Sequence, residues 1–133
     1  GETDEEFEQS IALVEKLAFS RLHVFRYSRR QGTPAARMAH CVPASIVQER
    51  GRRMHALAAD LARRFNSGLV GRSLDVLWET AEEHGDTLRW SGLTPNYVRV
   101  TATTPTDVDL VNVVTPTLIT QVVPGGVIGR IGD

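Results

Sequence analysis

The order of apolar and polar positions changes character once along the chain, near Gly68. Before that point the period is helical. Phe7, Ile11, Val14 and Leu17, with Leu13 and Ala18 beside them, make one apolar stripe. The stripe predicts a helix from Thr3 to about Ala18 with one face packed on something large. Thr3 followed by Glu6 is a capping-box pattern, and the acids of the first turn suit the positive end of the helix dipole. Ser20 to Tyr27 reads as extended: Leu22 and Val24 share one face, His23, Phe25 and Tyr27 the other. Neither face is clearly polar, which is the pattern of a strand covered on both sides. Beyond the Gly32-Thr33-Pro34 break, a long helix is predicted from about Pro43 to Phe65, since proline suits a first helical turn. Met54, Leu57, Ala58, Leu61 and Phe65 form its stripe, and Asn66-Ser67-Gly68 its stop. Gly51 costs this helix about 1 kcal/mol relative to alanine, which predicts close packing there.

From Gly71 onward the period is alternating. Ser73 to Glu79, Thr87 to Trp90, Tyr97 to Thr103, Val108 to Val114 and Val127 to Ile131 are β-branched runs separated by Gly, Pro, Asp and Asn. Short strands at this spacing predict a small antiparallel barrel of about five strands, OB-like in kind. About 60 residues suffice for such a barrel to fold alone, though marginally. The fold class is therefore α+β.

Composition narrows the chemistry. The 133 residues carry a net charge of −1, but ten arginines fall between Arg21 and Arg64 while acids crowd the start. Arginine's planar fork suits phosphate and carboxylate, yet a GC-rich genome produces the same bias. Cys41 is the single cysteine, which excludes an internal disulfide framework and any self-contained multi-cysteine metal site. His23, His40, His55 and His84 show no spacing of a metal pair. No apolar run approaches the ~20 residues of a membrane span, and the acidic start lacks the features of a signal peptide. These features read as soluble and cytoplasmic.

Four stretches in order carry a resemblance. His23-Val-Phe-Arg-Tyr-Ser-Arg-Arg-Gln-Gly-Thr-Pro-Ala-Ala is similar to the late-barrel signature H-x-F-P-Y-S-x-R-x-G-T-P-A-A of the MiaB-like tRNA methylthiotransferases, which are radical S-adenosylmethionine enzymes. Gly1-Glu2-Thr3 to Phe7 resembles their G-F-P-G-E-T-x-x-x-F segment, and Val42-Pro43 with Glu49-Arg50 their V-P-x-x-x-x-x-E-R helix start. Gly92-Leu-Thr-Pro-Asn96-Tyr97-Val-Arg-Val100 and Gly126-Val-Ile-Gly129 resemble their TRAM domain, a small RNA-binding β-barrel. The Leu22-His-Val-Phe25 start resembles the branch that acts on threonylcarbamoyladenosine, although Arg26 and Arg29 stand where proline is common.

The resemblance implies a C-terminal piece of a larger enzyme. Residues 1–40 would be the end of a radical S-adenosylmethionine barrel, a helix and strand without their neighbours; 41–68 a connecting helix; 69–133 the TRAM-type barrel. The parent would use S-adenosylmethionine and two 4Fe-4S clusters, whose thiolate ligands this chain lacks. The piece is expected to bind no cofactor or metal and to have no catalytic residue of its own. Its implied partner is tRNA at the anticodon arm, held weakly by the piece alone. The unpaired strand and the bare face of the first helix are expected to meet a second copy or to fold against the long helix.

Each candidate site has a plain structural reading beside the functional one. Tyr27, Ser28, Arg30, Gly32 and Thr33 lie where a barrel of the implied type builds its site, at the C-terminal end of a strand, and would be close to substrate or cofactor. The same residues also make a good turn, with glycine supplying backbone freedom and Thr33 a cap. Thr3 is fully explained as a helix cap. Arg72, Arg89, Trp90, Asn96, Tyr97, Arg99 and Arg130 make the candidate RNA surface, cations for phosphates and aromatic faces for unpaired bases. Against this, aromatics in strands are usually core, and the barrel holds many acids, including Asp75, Glu79, Glu82 and Asp133. Two other classes stay open: an RNA-binding module of a different modifying enzyme, and a protein-interaction or scaffold domain.

Overall fold

A computed structural model describes residues 1–132; Asp133, the last residue of the expected barrel, lies outside the described residues. The chain divides into two compact units, Gly1–Ala62 and Arg63–Asp133.

In the first unit, α1 (Asp4–Leu17) starts at the expected cap. The Thr3 hydroxyl accepts the Glu6 N–H at 3.2 Å, and the Glu6 carboxylate accepts the Thr3 N–H at 2.7 Å. Ala18 ends the helix in the left-handed region (φ 50) and donates back to Val14 and Glu15. The second helix, α2 (Ala44–Ser67), runs two residues beyond the expected Phe65. Phe7 is buried under two guanidinium groups of α2, Arg50 at 5.2 Å and Arg53 at 5.0 Å from the ring centre. Arg50 donates to the Glu2 carbonyl and carboxylate and to Asp4, and Arg53 grips Glu8 with two bonds of 2.6 and 2.9 Å. The rest of the α1 stripe is partly open: Ile11 and Val14 are half-buried, while Leu13 and Leu17 are each more than half exposed.

Two expectations fail in this unit. The strand from Ser20 to Tyr27 does not form. A strand needs a hydrogen-bonded neighbour, and no backbone hydrogen bond joins residues 20–27 to another segment among the described residues. Its alternation survives locally, with Leu22 and Val24 half-buried and the rings of His23 and Phe25 stacked at 6.4 Å. Gly51 is also not tightly packed: a Cβ there would meet nothing within 4 Å.

The second unit is a closed five-stranded barrel in the order β1-β2-β3-β5-β4. Its strands are β1 (Ser73–His84), β2 (Thr87–Leu93), β3 (Arg99–Pro105), β4 (Val114–Val123) and β5 (Gly126–Ile131). All pairings are antiparallel except the closing one, β3 with β5, which is parallel where an all-antiparallel barrel was expected. Val76, Trp78, Trp90, Val100, Ile119 and Val127 fill the interior, with Phe65 and Leu69 packed against them. Gly92 is required by this packing, since a Cβ would lie 2.5 Å from the Leu77 carbonyl oxygen and 2.9 Å from the Trp78 ring.

The strand expected at Val108 to Val114 is a loop, and β4 begins where it was to end. Asp109 accepts the Val111 N–H at 3.0 Å, Val113 donates to Leu110, and Asn112 takes φ 60, so the side chains of this run coil it. The loop still docks on β1, through Asn112 N–H to the Trp78 carbonyl and Trp78 N–H to the Val113 carbonyl.

Candidate nucleic-acid interface

Alternation sends Trp90 and Gly92 of β2, and Val100, Ala102 and Thr104 of β3, into the core. Their neighbours face out. Across β2 and β3 the outward residues pair as Leu93 with Arg99, Ser91 with Thr101, and Arg89 with Thr103. Thr101 is next to Ile128 on β5, and because these strands run parallel, Arg130 lies toward the Thr103 end. The outer face therefore has arginine at both ends and hydroxyl groups between them. Arg99 and Thr103 are four positions apart on β3, about 13 Å at strand rise.

The arginines are oriented by acids of β1. Arg99 donates to Glu79 at 2.8 Å and to the Ser91 hydroxyl at 3.3 Å, and Arg89 donates to Glu82 at 3.1 Å. Both guanidiniums stay about half exposed, so each retains donors toward solvent. Arg130 and Arg72 make no side-chain ion pair among the described residues. Arg72 stands just before β1, beside Ser73, which pairs with Leu118; Leu118 in turn pairs with Arg130. The four arginines are thus spread around the barrel rather than gathered in one patch.

Trp90 does not belong to this surface. It is 1% exposed, and its indole N–H is used by the Thr104 hydroxyl, so neither face is free to stack on a base. Tyr97 is the opposite case, 71% exposed at the tip of the β2–β3 turn with φ 62. Asn96 beside it is exposed, and its side-chain oxygen meets the Thr94 hydroxyl at 2.6 Å. Thr94 was not singled out in the sequence, yet it holds the turn. Its N–H donates to the Val98 carbonyl, its carbonyl accepts from Tyr97, and its hydroxyl accepts the Val98 N–H. A threonine before Pro-Asn was the available signal.

The first candidate set lies in the other unit. Gly32 takes φ 85, Thr33 donates to the Arg30 carbonyl and accepts the Ala36 N–H, and a 3₁₀ turn follows at Ala35–Arg37. This is the turn geometry the local sequence allows. A groove of about 1310 Å³ in this unit is lined by Phe7, Phe25, Tyr27, Met38, Cys41 and His55 among others. Of the five candidates only Tyr27 lines it; Ser28, Arg30 and Gly32 are exposed outside it and Thr33 is half-buried in the turn.

An iron-sulfur cluster of the implied kind does not fit the donors of this chain. Cys41 is the one cysteine, and no group of three or more His, Cys, Asp or Glu among the described residues is placed to hold a metal. Nor is any helix among the described residues long and apolar enough to cross a membrane.

No family model matches the chain. Individual relatives do. A tRNA-2-methylthio-N(6)-dimethylallyladenosine synthase of Kineococcus radiotolerans is 44% identical over 98 residues, 72% of this chain and 19% of the relative. The protein of the same name from Streptomyces coelicolor is 39% identical over 107 residues, 79% of this chain and 21% of the relative. A threonylcarbamoyladenosine tRNA methylthiotransferase MtaB of Thermotoga maritima is 44% identical over 79 residues, 59% of this chain and 18% of the relative. Names of both substrate branches thus occur among the relatives, the dimethylallyladenosine name over the longer match. The chain spans about a fifth of the length of the curated relatives it matches. Over 59–79% of its residues the chain is thus similar to tRNA methylthiotransferases of the MiaB type, each matched over about a fifth of its own length.

Proposed function

We propose that this chain is the C-terminal portion of a cytoplasmic tRNA methylthiotransferase, and that its barrel helps hold the anticodon arm of the tRNA. The observation that carries the reading is the 39–44% identity over 72–79% of the chain to the dimethylallyladenosine synthases, joined to a closed barrel with half-exposed arginines on its outer face. The parent reaction is the addition of a methylthio group to an adenosine next to the anticodon, with S-adenosylmethionine and two iron-sulfur clusters supplied upstream of these residues. Alone, the chain is inactive for want of cluster thiolates. Residues 1–40 serve as the end of the catalytic barrel, with Tyr27, Ser28, Arg30, Gly32 and Thr33 near its site, 41–68 as a connecting helix, and the remainder as the TRAM-type domain. Left on its own, the open stripe of α1, with Leu13 and Leu17 exposed, favours association with a second copy.

Acids on β1 engage two of the arginines, so affinity for RNA is weak and electrostatic. Titrating an anticodon stem-loop RNA at low and at physiological salt tests this. Binding that weakens steeply with salt is the expected result. Absence of salt-sensitive binding at high protein concentration overturns the reading and favours a protein-interaction role.

A further inference from the structure

We infer that the β2–β3 turn is a pre-set stacking platform for one unpaired nucleobase, with Tyr97 supplying the ring and Arg99 a donor to the adjoining phosphate; this rests on the RNA-binding reading above. The observation is a conflict between residue and backbone. Tyr97 occupies the left-handed region at φ 62, where a bulky side chain is strained and glycine or asparagine would sit freely. Strain of this kind persists only where surrounding structure imposes it, and it concentrates at binding and catalytic sites.

Here the imposing residue is Thr94, 3% exposed, which fixes both ends of the turn with three hydrogen bonds. Of the strained residue only the N–H takes part in this turn, donating to the Thr94 carbonyl; its side chain does not. Tyr97 is 71% exposed, and neither a hydrogen bond of its hydroxyl nor a ring contact of its own is present among the described residues. An aromatic face held out to solvent on a fixed backbone is what an unpaired base requires, because every base has a π-face.

The surroundings fit the same ligand. The turn leaves the sheet at the paired residues Leu93 and Arg99, and Leu93 is in turn paired with the exposed Leu77. Leu93 and Leu77 therefore make an apolar pair on the outer face where the turn leaves the sheet. Arg99, two residues beyond Tyr97, keeps about half of its guanidinium open while Glu79 and Ser91 fix its direction. Ring and cation thus stand two residues apart in the chain, and the cation is oriented independently of the ring.

The test uses residues 1–133 with a hairpin RNA carrying an unpaired loop, and the same stem closed into a continuous duplex. Tyr97→Gly is expected to keep a melting temperature at or above that of the unchanged chain, because the backbone strain is relieved. It should lose about tenfold in affinity for the hairpin, the scale of one stacked base, and nothing for the duplex. Tyr97→Phe keeps the hairpin affinity, since the ring and not the hydroxyl is used. Equal hairpin affinity in the folded Tyr97→Gly protein, or an equal loss on hairpin and duplex, overturns the inference while leaving RNA binding in place. An unchanged chain that binds neither RNA overturns both.

Discussion

Inside the barrel the indole N–H of Trp90 donates to the Thr104 hydroxyl at 3.0 Å, with both side chains almost fully enclosed. The bond separates a core aromatic from a surface one. Trp90→Phe leaves a void and removes one of the two bonds of the Thr104 hydroxyl, which still donates to the Pro105 carbonyl, and is expected to cost about 2 kcal/mol in urea unfolding. RNA affinity of the folded fraction should not change. A variant of normal stability with weakened RNA binding would return Trp90 to the interface.

Two glycines predict opposite signs for the same substitution. Gly92→Ala drives a methyl into the Leu77 carbonyl and the Trp78 ring, and should destabilise the barrel by more than about 2 kcal/mol. Gly51→Ala, in the interior of α2 with open space around it, should stabilise by about 0.5–1 kcal/mol. Thermal melts of the two variants beside the unchanged chain decide both.

Arg50 ties Glu2, before α1, to α2 by two bonds and Asp4, the first residue of α1, by a third, and covers Phe7. Asp4 is 90% exposed, so its share is largely screened, and the Glu2 contacts and ring cover carry most of the effect. Arg50→Ala should cost about 2 kcal/mol locally, read as faster amide exchange along α1 with barrel amides unaffected. Lysine at this position should not restore protection, because one ammonium cannot serve Glu2 and Asp4 together while lying on a ring. Equal exchange in Arg50→Ala would remove the arginine from the account of α1.

Acid should release α1 before it unfolds the barrel. The Arg53 hydrogen bond holds the Glu8 carboxyl below its ordinary value of 4.5, and the Thr3 N–H does the same for Glu6. A carboxyl lowered on folding contributes stability above its unfolded value, and that contribution is lost as pH falls through the lowered folded value. The window is thus below pH 4.5. Far-UV circular dichroism should show helix loss there while tryptophan fluorescence of the barrel holds steady. Glu8→Gln should reduce the pH dependence; an identical acid profile in that variant would exclude the Arg53 contact as its source.

What the sequence disclosed depends on whether the deciding interaction is local. The Thr3 cap, the end of α2 and the barrel's alternation are written within a few residues of each other, and all are found. The run 20–27 has the alternation of a strand but not the neighbour that would make it one. β4 was hidden by Pro116, which offers no N–H, and stands opposite Asp75 in the ladder with β1. Trp90 and Tyr97 look alike in the sequence as strand aromatics. Only register, and the Thr94 lock on the turn, turns one inward and the other out.

The parallel contact of β3 with β5 also sets an order of events. Its register covers only Val100 with Val127 and Thr101 with Ile128, whereas each antiparallel ladder is longer. β5 reaches β3 after β4 has crossed from β1 and turned back, so the seam is expected to close last, although it spans a shorter loop than the β1–β4 ladder does. Once closed, this short seam is the place where the ring opens first, and the amides of Val127 and Ile128 lie at the latch.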